Sequence, residues 1–371
     1  MFDEFKIKLN EPVWHDTSYE LWGRTYSRDL FNRAQRQQLL EFLRRPDVRQ
    51  PVAIIGERRA GKTSILKYLV NQLQKEFILL GAPTRGIHTA QEFYVELWSE
   101  LQLTVASPTS LQGDAEQMRR QLMHEMSRIS LKSDGRKPFL LWLDELDAIV
   151  EQENMDDREK EKILGFLLHL TARANFPVRL IYSSTHAFPK SKHIRSSPLV
   201  TGAQLAFMAP FSQEDAKEMI ESMLEEGGSW QAVKPYWNWD IFCRLSGCWP
   251  YYMKILLLHL AKSWKKQERI SKEDWWRTAL TASISDLSLN ATLQHLYQKH
   301  FSPDEKSVLL WMTRTGGRLS NSSLRSTSPA LLSAADRLEQ RFYLSSDDES
   351  RTFRVELIRH WLADRHDLSY G

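Results

Sequence analysis

Cysteine is nearly missing from this chain: Cys243 and Cys248 are the two thiols in 371 residues. Neither has a Cys or His partner at metal-ligand spacing, and two thiols cannot staple a chain this long. Ordinary thiols in a reduced protein are the expectation. Long apolar stretches are missing too. The runs at residues 139–143 and 255–258 fall far short of the roughly 20 residues that span a bilayer. The N-terminus, Met1-Phe2-Asp3-Glu4-Phe5-Lys6, carries acids where a signal peptide carries bases, and no apolar segment follows. A soluble, cytoplasmic protein with no membrane partner is expected. An excess of one charge is also lacking, since 50 basic and 47 acidic side chains leave a net charge of +3. That balance neither demands nor excludes nucleic acid. What is present is apolar material, 42% of the residues, enough for two or three modest domains.

Residues 51–70 read PVAIIGERRAGKTSILKYLV. Val52, Ala53, Ile54 and Ile55 have the pattern of a strand buried on both faces. Gly56-Glu57-Arg58-Arg59-Ala60-Gly61-Lys62-Thr63 then matches G-x-x-x-x-G-K-[ST] at every fixed position. Ile65, Leu66, Leu69 and Val70 follow at helical spacing, so the loop joins a strand to a helix, as the motif requires. Gly56 and Gly61 allow a tight turn whose N–H groups point at phosphate oxygens. The helix start, with Ser64 in its first turn, adds its dipole to that attraction. Lys62 supplies a cation for the β- and γ-phosphates, and the Thr63 hydroxyl is a magnesium ligand. The expected ligand is ATP, or GTP, with Mg2+.

A second apolar run, Phe139-Leu140-Leu141-Trp142-Leu143, ends abruptly in Asp144-Glu145, with Asp147 close behind. In a parallel sheet Asp144 would emerge beside the phosphate loop to hold magnesium, and Glu145 would polarise the attacking water. Acids that merely cap a helix start are the alternative; the phosphate loop upstream favours catalysis. Lys62, Asp144 and Glu145 are therefore the candidate catalytic set for slow NTP hydrolysis, with Thr63 and Asp144 as metal ligands.

These segments resemble the STAND branch of the AAA+-like P-loop ATPases, in particular the prokaryotic novel-STAND and archaeal-ATPase-like families. Besides the two motifs above, Leu21-Trp22-Gly23-Arg24 looks like the family's upstream F-x-G-R box, near the base and phosphates. Arg179-Leu180-Ile181-Tyr182-Ser183-Ser184-Thr185 looks like the following strand with a polar sensor at its end. Ser183, Ser184 and Thr185 all stay open for that role, and Ser184 represents the position in the expected binding set. Leu245-Ser246-Gly247-Cys248-Trp249-Pro250-Tyr251 resembles the family's G-G-x-P motif, whose proline packs against the base; Cys248 stands where the family has a second glycine. The resemblance implies a nucleotide-binding set of Gly23, Arg24, residues 56–64, Ser184 and Pro250. In the basic loop 190–195, Arg195 is a candidate for reaching a neighbouring subunit's nucleotide, with a solvated loop arginine as the commoner alternative.

The resulting expectation is an α/β fold: a P-loop parallel sheet with flanking helices, a small helical lid and a C-terminal winged helix. The expected limits are an N-terminal arm at 1–20, the ATPase domain at 21–210, the lid at 211–284 and the winged helix at 285–371. Residues 151–162 read as a solvated charged helix, and 211–224 as the lid's first helix with Ser212 as N-cap. The aromatics between Trp230 and Tyr252 are expected as core or adenine wall rather than as a base-stacking platform. In the winged helix, three helices, around Leu293, at 305–312 and at 331–342, precede a hairpin with a turn at 345–351. Its tip, Ser345-Ser346-Asp347-Asp348-Glu349, is acidic and would repel phosphate. The resemblance implies a nucleotide-controlled switch in prokaryotic signalling or anti-phage defence, acting by homo-oligomerisation or on a separate effector or sensor protein. A DNA-handling AAA+ ATPase and a non-hydrolysing nucleotide-bound scaffold are the rivals.

Overall fold

A computed structural model describes residues 33–46, 49–82, 84–105, 111–132, 137–172, 178–185, 197–226, 234–265 and 271–368. The chain forms two compact units, one of Asn32–Met208 and one carrying Ala209–Gly371. The segments expected as lid and winged helix both fall in the second unit. The arm at 1–20 lies outside the described residues.

In the first unit, α1 (Arg33–Arg44), β1 (Val52–Ile55) and α2 (Lys62–Leu73) precede β2 (Ile78–Ala82), α3 (Ala90–Val105) and α4 (Ala115–Lys132). Then follow β3 (Phe139–Leu143), α5 (Asp147–Glu151), α6 (Asp157–Ala172), β4 (Val178–Ser184), the single-turn α7 (Pro198–Thr201) and β5 (Gln204–Phe207). The sheet is parallel, in the order β2-β3-β4-β1-β5. β1 and β4 are buried at every position, as an apolar run covered by helices on both faces must be. The charged segment expected as one helix is broken between α5 and α6.

Strand order matters for the site, because β4 separates β1 from β3. The register sets Ile54 beside Ser183, and Ile55 beside Ser184. Side chains alternate along a strand, so Ser184 shares a face with Ile55 and Tyr182, both members of a large apolar cluster with Phe93, Tyr94 and Phe166. In that cluster Tyr94 and Phe166 meet edge to face at 5.1 Å. Ser183 points to the opposite face, which it shares with Ile54.

The second unit begins with α8 (Gln213–Glu226), whose N-terminal Ser212 hydroxyl accepts from the Asp215 N–H at 3.0 Å. It continues through α9 (Trp239–Ser246), α10 (Pro250–Lys265), α11 (Lys272–Ile284), α12 (Leu287–His295), a π-helical turn (Leu296–His300) and α13 (Pro303–Arg314). β6 (Arg318–Ser320), α14 (Asn321–Thr327), α15 (Pro329–Gln340), β7 (Leu344–Ser346), β8 (Ser350–Phe353) and α16 (Glu356–Arg365) complete it. The last three strands form an antiparallel sheet in the order β6-β8-β7. β6, α14 and α16 go beyond the sequence reading. The hairpin turn is also tighter than expected: Phe342 takes a left-handed φ of 61° ahead of β7, and Asp347 Oδ1 accepts from the N–H groups of Glu349 and Ser350.

Aromatic side chains fill the core of this unit. Trp237, Phe242, Trp275 and Trp276 lie in one buried cluster, with Trp237 edge-on to Trp276 at 5.8 Å. Two of the indoles use their polar handles inside the protein: Trp275 donates to the Leu260 carbonyl at 2.8 Å and Trp276 to the Tyr236 carbonyl at 3.2 Å. Such rings are core, while Trp230 lies outside the described residues. Among the described residues no helix is long and apolar enough to cross a membrane.

Trp275 is 1% exposed. Trp275→Ala removes a large buried ring and leaves the Leu260 carbonyl without that donor, so it should destabilise the second unit by about 3–5 kcal/mol. Calorimetric unfolding of the full chain will show the corresponding transition at lower temperature.

Candidate nucleotide-binding site

The phosphate loop starts as a continuation of the sheet. The Gly56 N–H donates to the Ser184 carbonyl at 3.1 Å, which carries the β1–β4 pairing one residue beyond the strand. A Cβ on Gly56 would lie 2.6 Å from the Met208 Cβ, so glycine is required where the chain leaving β5 passes. Arg59 and Gly61 then adopt left-handed φ values of 65° and 93°, the kind of turn that lets successive N–H groups converge on an anion. α2 begins at Lys62 with no side-chain cap, leaving its first-turn N–H groups for a phosphate.

Lys62 is 6% exposed. Its ammonium donates to the carbonyls of Gly56 at 3.0 Å and Glu57 at 2.9 Å. Burial lowers its pKa, against the opposing pull of Asp147, Glu57, Glu145 and Asp144. A cation held among its own loop's carbonyls, with four acids nearby, is placed to exchange those partners for phosphate oxygens.

Asp144, the first residue past β3, is held on both oxygens. Its Oδ2 accepts from the Thr63 hydroxyl at 2.7 Å, and its Oδ1 accepts from the Ser183 hydroxyl. The same Ser183 oxygen accepts from the Glu145 N–H at 2.8 Å, and the Ser183 carbonyl accepts from the Leu146 N–H at 2.9 Å. From the far side, the Thr84 hydroxyl donates to the Asp144 carbonyl. Thr63 Oγ1 and Asp144 Oδ2 are thus adjacent hard oxygen donors on a half-buried surface, the donor type that magnesium takes.

Glu145 has a left-handed φ of 57°, a conformation that costs on the order of 1 kcal/mol for a residue with a Cβ. Its carboxylate pairs with the Arg85 guanidinium, the two side chains being 34% and 65% exposed. At such exposure the pair contributes about 0–1 kcal/mol, so it orients Glu145 without locking it. Arg85 escaped the sequence reading because Thr84-Arg85-Gly86 carries no motif. The segment reaches Glu145 because β2 is the neighbour of β3.

Asp147 is buried; its Oδ2 accepts from the Thr185 N–H at 3.3 Å, whereas its Oδ1 has no partner among the described residues. Glu151 has its pKa raised by burial and by the charges of Asp147 and Glu145, with Arg58 acting against them.

Residues 56–64, Asp144 and Glu145 therefore come together in the first unit. Ser184 does not join them: its hydroxyl is buried with no partner among the described residues, on the sheet face that carries the apolar cluster, and Ser183 is the serine bonded to Asp144. Pro250 is the first residue of α10, in the second unit. Gly23, Arg24 and Arg195 lie outside the described residues. Where the resemblance set a second glycine, Cys248 itself takes a left-handed φ of 56°. The close approach falls on Gly247, where a Cβ would lie 2.8 Å from the Arg354 carbonyl oxygen.

The two serines separate cleanly by substitution. Ser183→Ala removes the hydroxyl that links Asp144 to the Glu145 N–H and should lower kcat about tenfold or more, one partly buried hydrogen bond to a charged group being worth about 1.5–3 kcal/mol. Ser184→Ala deletes a buried hydroxyl that has no partner among the described residues, and should leave kcat unchanged and thermal stability equal or higher. A phosphate-release assay and a melting curve on each variant will check both.

The sequence of residues 44–188 matches the model of the family described as an AAA domain. Among curated proteins, none matches the chain. Two solved structures share its fold over nearly the whole length. A Walker-type ATPase of Pyrococcus abyssi is 15% identical, with a TM-score of 0.56 covering 89% of this chain and 94% of that one. The Aeropyrum pernix ORC2 protein, solved in ADPNP–ADP complexes, is 10% identical, with a TM-score of 0.54 covering 91% of this chain and 95% of that one. Identities this low establish a common fold and nothing further. Over residues 44–188 the chain is similar to the AAA-domain family, and as a whole it has the fold of these two solved structures.

Proposed function

We propose that the chain is an ATP-dependent switch, which binds ATP with magnesium, hydrolyses it slowly, and controls self-assembly or a partner through its nucleotide state. The chain of hydrogen bonds Thr63–Asp144–Ser183–Glu145 carries this reading. It couples the loop that takes the phosphates to the carboxylate that acts on water. Bound through Thr63 and Asp144, Mg2+ would neutralise charge on the β- and γ-phosphate oxygens. Lys62 and the N–H groups of residues 57–64 hold the triphosphate. Glu145 accepts a proton from water as the water oxygen bonds to the γ-phosphorus, and the bond to the β–γ bridging oxygen breaks, releasing ADP and phosphate. Adenine as the base is supported by the ADPNP–ADP complexes of the ORC2 relative. Gly23, Arg24 and Pro250 complete the nucleotide set in this reading.

The second unit supplies the moving part. α8 to α11 are read as the helical lid, and α13, β6, α14, α15, β7 and β8 as a winged helix. The STAND assignment, its defence setting and the separate effector rest on the motif resemblance alone.

A second reading, a DNA-handling ATPase, draws on the same three-helix, three-strand arrangement. Electrostatics weigh against it. The hairpin tip is Asp347-Asp348-Glu349, and on α15 the solvent-facing carboxylates of Asp336 and Glu339 pair with the buried Arg351. Duplex binding with a steep salt slope would make this the better reading.

Three outcomes test the switch. Glu145→Gln should keep ATP affinity and lose about 10²–10⁴ in hydrolysis rate; an unchanged rate would sink Glu145 as the base. Arg85→Ala frees Glu145 from a pair worth about 0–1 kcal/mol and should raise basal hydrolysis up to about fivefold. Light scattering of wild type and Lys62→Ala, with ADP and with a non-hydrolysable ATP analogue, should show assembly or a change of shape in the wild type alone. Identical behaviour in every state would make the nucleotide structural.

A further inference from the structure

The π-helical turn between α12 and α13 brings together two histidines that no motif connects. His295 closes α12 and His300 closes the turn. In a regular α-helix, residues five apart point about 140° away from one another. The wider i→i+5 turn instead stacks them on one side. Their Nε2 atoms are 3.3 Å apart, and their ring centres lie 5.2 Å apart at an interplanar angle of 59°.

Those distances have a chemical signature. Two imidazoles on one tetrahedral cation, with metal–nitrogen bonds of about 2.0–2.1 Å, have nitrogens about 3.3–3.4 Å apart. With each ring centre about 1.2 Å behind its nitrogen, the same geometry puts the centres about 5.2–5.3 Å apart. The two rings are within hydrogen-bond reach, but the bond is bent, since a linear one at this nitrogen separation would put the centres about 5.7 Å apart. Both distances fit two rings inclined toward a common point.

We propose that His295 and His300 form a binding site for one divalent transition-metal ion of the imidazole-preferring kind, such as Zn2+ or Ni2+, with water completing the coordination. Both histidines are half-buried, so the ion has a protein wall on one side and solvent on the other. Basic groups stand near the site, and one of them, Arg341, is paired with Glu305 at 3.6 Å. Arg341 donates to the His300 carbonyl at 3.1 Å, Lys306 donates to the Gln298 carbonyl at 3.4 Å, and Lys299 adjoins His300. The bound ion clamps the π turn and so joins the end of α12 to the start of α13. The site is independent of the nucleotide reading, since every group in it belongs to the second unit.

The test uses the metal-free full-length chain, with ADP and excess Mg2+ present to occupy the phosphate loop. Zn2+ and Ni2+ are titrated by calorimetry against wild type, His295→Ala, His300→Ala and the control His366→Ala. Wild type and the control should bind one equivalent and melt at higher temperature with metal. Each of the other two variants should bind at least about tenfold more weakly, the loss that even an outer-shell partner produces. X-ray absorption of the nickel-loaded wild type should show two imidazoles on the ion, a readout that stands if a variant fails to fold. Binding unchanged in both variants would assign the ion to other histidines or to the thiols. That result overturns the proposal, as does an absorption spectrum with fewer than two imidazoles or a wild type that binds no metal.

Discussion

The double attachment of the Asp144 carboxylate is the constraint on which the first unit's chemistry depends. β4 lies between the strand that feeds the phosphate loop and the strand that delivers the acids, so no backbone ladder joins β1 to β3. Their C-terminal ends are tied through side chains instead: Thr63 on α2 to one oxygen of Asp144, Ser183 on β4 to the other. Hydrogen bonds to an ionised acceptor are stronger than neutral ones, and a partly buried carboxylate requires them. Satisfying that one charge aligns a helix start, a strand end and, through the Ser183 oxygen, the backbone of Glu145.

Around that anchor the local backbone is under strain. Arg59, Gly61 and Glu145 are all left-handed, and a lysine is buried with a lowered pKa. Asp147 and Thr185 keep buried oxygens without partners among the described residues. Unpaired polar atoms and strained φ values oppose folding, and they gather at functional sites, where a ligand meets them. The surrounding sheet and its apolar cluster, with Phe93, Tyr94 and Phe166 packed edge to face, make this tolerable.

The second unit was only partly legible in the sequence. α8 and its Ser212 cap followed from start signals, and α15 from its apolar spacing. α14 did not, because Asn321-Ser322-Ser323-Leu324-Arg325-Ser326-Thr327 has weak helix formers and buries Leu324 alone. β6 is three residues long and gains its identity by pairing with β8. The π turn was invisible too, because its five residues read as ordinary helix.

The sequence by itself determined the phosphate loop, the acidic strand end and the strand-to-helix junction between them, because each is a contiguous segment whose chemistry is local. Tertiary structure decided what contiguity cannot: that Ser183 and not Ser184 serves Asp144, and that Arg85 meets Glu145. Side chains alternate along a strand, so a shift of one residue exchanges the site face for the core face. Which residue of the serine pair faces the site was set by the register of β4 on β1 and β3, and the partner of Glu145 by the position of β2.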